Sequence, residues 1–264
     1  MNLDYWKKQS KTPLFENITW NKPEQKSFGG QLAIIGGSGG GFSAIALGAK
    51  IANDFGAGVV KVLLPDVLQK TLPNSSDIFF ADSNLSGGFA KSAVPEMTAL
   101  SEWADSVVIL GDMGKSTETA SGLREFVAKN QKPIVIMRDA VDLMIPAAGE
   151  IIENGELTLI LTFAQLQKLF REIYYPKVLT FSMPLAQAVE ALHKFTLSYA
   201  LTIASFCQGN YLVAQRGIVI STALSDTKYS PLSLWSGEIA IKTALYQIWN
   251  PKKPLEATAT AILA

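Results

Sequence analysis

The sequence predicts an α/β protein built in three layers, with helices on both faces of a mostly parallel central sheet. Short apolar runs, typical of strands buried on both faces, alternate along the chain with longer segments whose apolar residues recur at helical spacing. No break in composition interrupts this alternation over the 264 residues, which favours one domain. Apolar residues make up 48% of the chain and charged residues 17%, a balance that supplies a large core.

The first predicted unit is a strand, a helix and a second parallel strand. Residues 31–37 (QLAIIGG) predict the first strand, residues 42–55 the helix, and residues 59–64 (VVKVLL) the second strand. Later strands are expected at 106–110, 133–137, 158–161, 178–181, 211–214 and 218–221, and later helices at 117–130, 163–171, 184–206, 236–249 and 254–264. Residues 1–27 are expected to be a polar lead-in, and residues 28–264 the domain.

Charge and cysteine content exclude several classes of protein. The 23 basic residues balance the 23 acidic ones, which argues against a nucleic-acid partner held by phosphate neutralisation. One cysteine, Cys207, and one histidine, His193, leave no intramolecular disulfide and no thiolate metal cluster. The first 26 residues lack the apolar segment of a signal peptide, and no run reaches the length of a spanning helix. We therefore expect a cytoplasmic protein with no membrane partner.

The first candidate ligand loop is the glycine-rich turn at residues 36–41, which contains Gly37, Ser38 and Gly39. Consecutive glycines let the backbone approach a ligand, and the N-terminus of the following helix, near Ala44, attracts anions. The segment from Gly39 to Ala44 also fits a dinucleotide-binding fingerprint, with Asp66 as the acid for a ribose hydroxyl. A tight turn that binds nothing is the alternative interpretation.

Three further loops follow predicted strands. In residues 111–116, Gly-Lys-Ser suggests phosphate binding, although Ile109 stands where a P-loop requires glycine, and an N-cap with a solvated lysine fits equally. Asp139 and Asp142 could contact a ligand or cap a helix. Glu238, in the first turn of a helix, could be a base beside an anion hole or an ordinary first-turn acid.

In order and spacing, the segments from residue 31 onward resemble one protein family. These segments are LAIIGGSGGGFSAIALGAKIANDFGAGVVKVLLPD, SVVILGDMGKSTET, PIVIMRDAVDL, TLILTFAQLQKLF, VAQRGIVIST and LWSGEIAIKTALYQIW. Together they resemble the ADP- or ATP-dependent NAD(P)H-hydrate dehydratases of the ribokinase-like superfamily. Asp139 and Asp142 match the family's Asp-Ala-Asp-Ala-Leu motif, Gln215 or Arg216 its Lys-Gly motif, and Glu238 the acid of its Gly-Thr-Gly-Asp motif.

The resemblance implies a ribokinase-like fold, ATP or ADP with Mg²⁺ as cofactors, and NAD(P)H hydrate as substrate. Glu238 would be the catalytic base, and the backbone of Ser236 and Gly237 the anion hole. No residue is assigned as a metal ligand. The implied substrate-binding residues are Gly37, Ser38, Gly39, Ala44 and Asp139, and the implied nucleotide-binding residues are Gly111, Gly114, Lys115, Gln215 and Trp235. Oligomers occur in the family, and the apolar residues 255–264 make a homo-oligomer a further expectation.

Departures from the family pattern lead to three hypotheses. Glu238 replaces an aspartate, Trp235 stands at a glycine position, and only Thr162 remains of the Thr-Pro-His-Pro-Gly-Glu motif. The main hypothesis is an NAD(P)H-hydrate dehydratase-like protein with reduced or lost activity. The second is a catalytically silent homologue that binds a nucleotide or serves as an assembly subunit. The third is a Rossmann NAD(P)-binding oxidoreductase, based on Gly39, Gly41, Ala44 and Asp66.

Overall fold

The computed structural model describes residues 4–73, 75–227 and 236–264. Within these ranges the chain forms one ten-stranded sheet with helices on both faces. The strands are β1 (Trp6–Gln9), β2 (Gln31–Gly36), β3 (Val59–Pro65), β4 (Ile78–Ala81), β5 (Ser106–Gly111), β6 (Ile134–Met137), β7 (Leu157–Leu161), β8 (Thr202–Cys207), β9 (Asn210–Gln215) and β10 (Ile218–Ala223). The helices are α1 (Glu16–Trp20), α2 (Ser43–Phe55), α3 (Val94–Trp103), α4 (Thr117–Lys129), α5 (Asp139–Met144), α6 (Ala148–Ile151), α7 (Phe163–Glu172), α8 (Leu185–Ser198), α9 (Glu238–Trp249) and α10 (Pro254–Ala261).

The strand order brings the first two glycine loops together. Across the sheet it is β1-β10-β9-β8-β7-β6-β5-β2-β3-β4, and β9 alone among these strands runs against the others. The chain leaves β2 toward β3 on one side and later returns to β5 on the other side of β2. The loops after β2 and β5 therefore meet at the point where the strand order reverses, which is where open α/β sheets bind ligands.

Each face of the sheet carries its own buried core because side chains alternate along every strand. In β2, Ala33 and Ile35 belong to the core beneath α3, α4, α7 and α8. Leu32 and Ile34 belong to the core beneath α2, α9 and α10. This arrangement confirms the predicted three layers and explains why the strands appear as continuous apolar runs.

Two predicted elements differ from the structure. The helix predicted over 184–206 ends at Ser198, and Thr202–Cys207 is strand β8, paired with β7 and β9. Periodicity cannot separate the two because TIASFC is apolar throughout and no glycine or proline divides it from the helix. Residues 178–181 form no strand. The sequence also left β1, β4, α1, α3, α5 and α6 unpredicted.

The expected lead-in contributes to the sheet. β1 pairs in parallel with β10, and the buried Gln9 donates from Nε2 to Thr222 Oγ1 at 3.0 Å and to the Ala259 carbonyl at 2.7 Å. Residues before 28 thus belong to the same folded unit as the rest of the described chain.

The apolar C-terminal segment is covered by the chain itself. In α10, Ala257, Ala259 and Ala261 are fully buried, and Leu255 is nearly so, within the core shared with α9. The hydrophobicity of residues 255–264 is therefore satisfied internally and no longer supports the expected homo-oligomer. No helix in the described ranges has the length and apolar character needed to cross a bilayer.

Candidate functional site

The carboxyl ends of β2 and β5 are joined by close backbone contacts. Gly37 donates its N–H to the carbonyl of Gly111 at 2.9 Å. A Cβ on Gly36 would lie 2.6 Å from the same oxygen. Gly37 and Gly111 also have φ values of +86° and +104°, which glycine adopts without strain. The glycines therefore allow the two loops to touch at the switch point of the sheet.

Asp112 occupies the centre of this contact. Its Oδ2 accepts the N–H of Ala44 at 3.0 Å, in the first turn of α2, and its Oδ1 pairs with Arg138 Nη2 at 2.9 Å. Both side chains of the ion pair are only 17% exposed. A carboxylate at a helix N-terminus is stabilised by the free N–H groups there. Asp112 thus fills the position at which the sequence suggested an external anion.

Asp139 shapes the loop that follows β5. Its Oδ1 accepts the N–H of Asp112 at 2.9 Å and its Oδ2 that of Met113 at 3.0 Å. A Cβ on Gly111 would lie 2.2 Å from Asp139 Oδ1, so this approach requires glycine. The Asp139 carboxylate therefore organises the loop from within, and both of its oxygens are engaged.

A cavity of about 420 Å³ opens at the carboxyl ends of β6, β7 and β8. Its wall combines apolar side chains with acids, cations and an amide, namely Met137, Arg138, Asp139, Asp142, Ile160, Thr162, Ala164, Gln165, Lys168 and Phe206. Lys168 Nζ lies 2.7 Å from Asp142 Oδ1. Arg138 Nε is buried and has no hydrogen-bond partner in the described chain. The cavity therefore has an apolar surface beside two cations, each of which is paired with an aspartate.

Thr162 and Gln165 begin α7 with a capping box. Thr162 Oγ1 accepts the Gln165 N–H at 3.2 Å, and Gln165 Oε1 accepts the Thr162 N–H at 3.0 Å. Gln165 Nε2 also donates to Asp142 Oδ2 and to the Arg138 carbonyl, each at 2.8 Å. The start of α7 thus has a polar connection to the cavity.

Gly237 and Glu238 begin α9 directly beside β5. Gly237 has φ +78°, and a Cβ there would lie 2.3 Å from Leu110 Cδ1. Glu238 Oε1 pairs with Lys242 Nζ at 2.5 Å, one helical turn later, and its N–H donates to Ser236 Oγ at 3.3 Å. Lys242 Nζ also donates to the Ala264 carbonyl at 2.7 Å. The implied base is therefore at the expected edge of the sheet, with one oxygen held in an ion pair.

Most N–H groups of the glycine-rich turn are used inside the protein. Ser38 and Gly41 exchange two backbone hydrogen bonds at 2.9 Å, and Gly39 donates to the Gly87 carbonyl at 2.8 Å. With Gly37 and Ala44 engaged as described above, these five N–H groups do not form an anion cradle. Asp66 accepts the N–H of Ser83 at 3.0 Å and the Ser83 hydroxyl. The Rossmann hypothesis thereby loses its ribose acid and its helix N-terminus.

The remaining predicted residues have different placements. Gly114 and Lys115 are exposed on the loop after β5, and a Cβ on Gly114 would meet nothing within 4 Å. Gln215 is the last residue of β9, at the opposite edge of the sheet, so the structure separates it from the other predicted nucleotide-binding residues. Trp235 lies outside the described residues.

Asp112 and Arg138 were not predicted as a pair. Each follows directly after a strand, β5 or β6, and both have φ values near +60°. Their adjacency at the ends of neighbouring parallel strands was a signal available in the sequence. The sequence did not predict the positive φ values that turn the two side chains toward each other, because L-residues rarely adopt such values.

The single histidine, His193, and the single cysteine, Cys207, have structural roles. His193 stacks on Tyr5 with ring centroids 3.8 Å apart, and its Nδ1 contacts the Gly217 carbonyl. Cys207 is buried, and burial raises the pKa of its thiol, which disfavours the reactive thiolate. Among the described residues, no group of three or more His, Cys, Asp or Glu side chains could hold a metal ion.

Comparisons with known proteins agree with the predicted fold. No protein-family model matches the chain. The bifunctional NAD(P)H-hydrate repair enzyme Nnr of Methanothermobacter thermautotrophicus is 32% identical over 151 residues, which cover 55% of this chain and 28% of that enzyme. The match thus spans little more than a quarter of the relative's length.

Two solved structures superpose on nearly the whole chain. A ribokinase-like superfamily protein from Enterococcus faecalis gives a TM-score of 0.71 at 15% identity, over 100% of this chain and 88% of that one. The ADP/ATP-dependent NAD(P)H-hydrate dehydratase from Bacillus subtilis, co-crystallised with ATP/Mg²⁺ and soaked with CoA, gives 0.61 at 12% identity, over 95% and 86%. The chain therefore has a ribokinase-like fold, as the sequence predicted.

Proposed function

We propose that this chain is an NAD(P)H-hydrate dehydratase-like protein that binds ATP or ADP at the carboxyl edge of its sheet and turns over slowly. The observation that carries the proposal is the start of α9, where Gly237, in a conformation and a space that favour glycine, places Glu238 beside the end of β5. A glycine followed by an acid at a helix N-terminus supplies N–H donors and a base within one turn. The partial sequence match to the repair enzyme supports the same substrate class.

The cavity beside Arg138 fits a nucleotide in size and chemistry. Its volume of about 420 Å³ lies within the range of small-molecule sites. Met137, Ile160 and Phe206 offer an apolar wall for a base, while Arg138 and Lys168 supply positive charge for phosphates. Mg²⁺ would be held through the nucleotide's own phosphates, because the described chain lacks an acidic cluster for it.

The residues divide the chemistry between them. A bound ATP or ADP would supply the phosphoryl group that makes the hydrate hydroxyl a leaving group, leaving ADP or AMP, and loss of phosphate together with a proton from the adjacent ring carbon would then restore NAD(P)H. Glu238 takes the proton of that hydroxyl, and the backbone N–H groups of Ser236 and Gly237 stabilise the developing charge. Arg138 and Lys168 neutralise the phosphates from the other side of the edge.

The ion pair with Lys242 is the physical reason to expect slow turnover. Glu238 Oε1 and Lys242 Nζ are 2.5 Å apart, and the Lys242 side chain is only 11% exposed. The Lys242 ammonium therefore occupies one of the two carboxylate oxygens that would have to reach the substrate hydroxyl. Catalysis would therefore need the ion pair to open or would rely on the other carboxylate oxygen.

An assay with NADH hydrate, ATP or ADP, and Mg²⁺ tests the proposal. We expect slow dehydration that Glu238→Gln abolishes and that Lys242→Met accelerates several-fold, because the substitution frees the carboxylate. Glu256→Gln, which changes the first-turn acid of α10 instead, is the matched control and should leave the rate unchanged. Dehydration that survives Glu238→Gln would refute the assignment of the base.

A silent nucleotide-binding homologue is the second candidate, and the Glu238–Lys242 pair also favours it. This version predicts that ATP raises the melting temperature without any turnover. Lys168→Met should then reduce the shift, while Lys194→Met, at an exposed pair on α8, should not. The absence of any shift with ATP, ADP or NADH would count against both candidates.

A further inference from the structure

A second cavity lies at the edge of the sheet opposite to the candidate active site. It measures about 500 Å³ and is lined by residues that precede β6 and β7, by the turn between β9 and β10, and by the end of α9 with the turn into α10. The wall contains Pro133, Gly155, Glu156, Gln215, Arg216, Gln247, Asn250, Pro251, Lys252 and Pro254. The nucleotide proposal uses none of these residues at this edge.

Gln215 brings unused hydrogen-bonding capacity to this cavity. The residue is only 7% exposed, and its side chain makes no hydrogen bond to another residue of the described chain. Its amide atoms are not among the fully buried unpartnered atoms of the described chain, so they reach the solvent, where water or a ligand can bond to them. The exposed part of Gln215 lies in the cavity wall, so a molecule in the cavity can provide the missing partner.

Two neighbouring polar atoms are also unpartnered. Gln247 Oε1 and Thr202 Oγ1 are both buried without a hydrogen-bond partner in the described chain. Thr202 is the first residue of β8 and directly precedes Ile203, which pairs with Ala214 of β9. Gln247 Nε2, by contrast, donates a hydrogen bond to Thr158 Oγ1 at 2.9 Å. The polar groups around this cavity are therefore only partly satisfied by the protein itself.

Two cations occupy the rim. Arg216 and Lys252 are exposed, line the cavity, and make no ion pair in the described chain, while Glu156 is the one acid in the wall. Arg216 and Lys252 have φ values of +48° and +75°. Such a backbone is costly for L-residues and often accompanies functional sites. The charges leave a net positive rim around an amide-rich floor.

We propose that this cavity binds a small organic anion, with its carboxylate or phosphate at Arg216 and Lys252 and a polar group on the Gln215 amide. Guanidinium and ammonium groups bind both kinds of anion through charge-assisted hydrogen bonds. The faces of Pro133, Pro251 and Pro254 enclose the carbon skeleton of the ligand. The site is independent of the nucleotide cavity because it lies at the other end of the strands.

Calorimetric titration of the full chain tests the proposal, with citrate and glycerol 3-phosphate as probes for a carboxylate and a phosphate ligand. We expect saturable binding of at least one probe. In NMR spectra of the same titration, we expect chemical-shift changes at the side-chain amides of Gln215 and Gln247. Arg216→Gln and Gln215→Leu should each weaken binding about tenfold or more. Lys253→Gln alters a neighbouring exposed lysine outside the cavity wall and should not.

The Gln215→Leu variant also separates an effect on binding from an effect on folding. Gln215→Leu removes an amide that has no partner in the described chain, so the unliganded variant should melt at the same temperature as the parent or higher. Three results would overturn the proposal: no binding of either probe up to about 10 mM, binding that Arg216→Gln leaves unchanged, or equally tight binding of inorganic phosphate. The last would reduce the cavity to a simple ion site.

Discussion

At Gly237 a positive φ and close packing coincide at the start of α9. Substitution to alanine places a Cβ at φ +78° and 2.3 Å from Leu110 Cδ1, so the buried Leu110 side chain, α9 or β5 must shift. We expect Gly237→Ala to lower the free energy of unfolding by about 2–4 kcal/mol. Chemical denaturation measures this change.

Gly114→Ala is the matched control for that substitution. Gly114 has nearly the same φ, +74°, but no atom lies within 4 Å of its virtual Cβ. The conformational cost alone should be about 1 kcal/mol. Equal losses in the two variants would contradict the role assigned to the contact with Leu110.

Arg138 is the second residue at which a single substitution should change stability, because its side chain pairs with the Asp112 carboxylate. Arg138→Met removes the ion pair and leaves the half-buried Asp112 carboxylate with the Ala44 N–H as its described partner. We expect a loss of about 2 kcal/mol in unfolding free energy, because a charged hydrogen bond is lost and a charge remains.

Lys129→Met tests whether burial of the ion pair is the cause of the loss of unfolding free energy expected for Arg138→Met. Lys129 pairs with Glu125 at 2.8 Å, a similar distance, but its side chain is 64% exposed. Water and salt screen such pairs, so little change is expected. A loss as large as that of Arg138→Met would show that burial of the Asp112–Arg138 pair is unimportant.

At the scale of elements, Lys22 reports on the packing of α1 against α2 and α9. Burial, and then the positive charge of Lys242, lower the pKa of Lys22. Its Nζ lies 4.0 Å from the centre of the Phe55 ring. The folded protein therefore binds this proton less tightly than the unfolded chain does, which costs stability below the folded pKa.

The loss of stability caused by protonated Lys22 should disappear as the pH rises through the lowered pKa of Lys22 toward the ordinary lysine value of 10.5. We therefore expect the unfolding free energy of the parent to rise relative to Lys22→Met between neutral and alkaline pH. Denaturant titrations of both proteins across that range measure the difference, with Lys7→Met as the control on an exposed lysine. A difference that falls with pH would contradict the assignment.

Elements also mark the limit of sequence reasoning. The strands β2, β3, β5, β6 and β7 were predictable because their apolar runs are bounded by glycine, proline or polar residues. The boundary between α8 and β8 was not, because Tyr199 to Cys207 carries no local break. Pairing of β8 with β7 and β9 decides it, and that pairing is a tertiary interaction.

At the scale of the whole molecule, β1 is the edge strand that covers β10. A chain lacking residues 1–12 loses the pairing of β1 with β10 and the hydrogen bonds of Gln9. We expect a loss of about 2–4 kcal/mol in unfolding free energy and a tendency to associate through the exposed β10. Thermal melting and light scattering measure the two effects.

Lys7→Gln provides the comparison within the same strand, because Lys7 is exposed and its loss leaves the pairing intact. If the truncated chain were as stable and associated as little as this variant, residues 1–12 would be dispensable for the fold.

The sequence by itself determined the fold class and the loops that reach the carboxyl edge of the sheet. Both follow from local information, the period of apolar residues and the position of glycines, which the chain carries without reference to distant partners. The resemblance carried by those loops also pointed to Glu238.

Only the tertiary structure decided how the polar groups are used. It set Asp112 into the N-terminus of α2, tied Glu238 to Lys242, and moved Gln215 to the opposite edge of the sheet. These outcomes depend on strand order and on positive φ values, which join residues far apart in the chain. A hydrogen bond or ion pair depends on distance in space, and spacing along a sequence does not contain that distance.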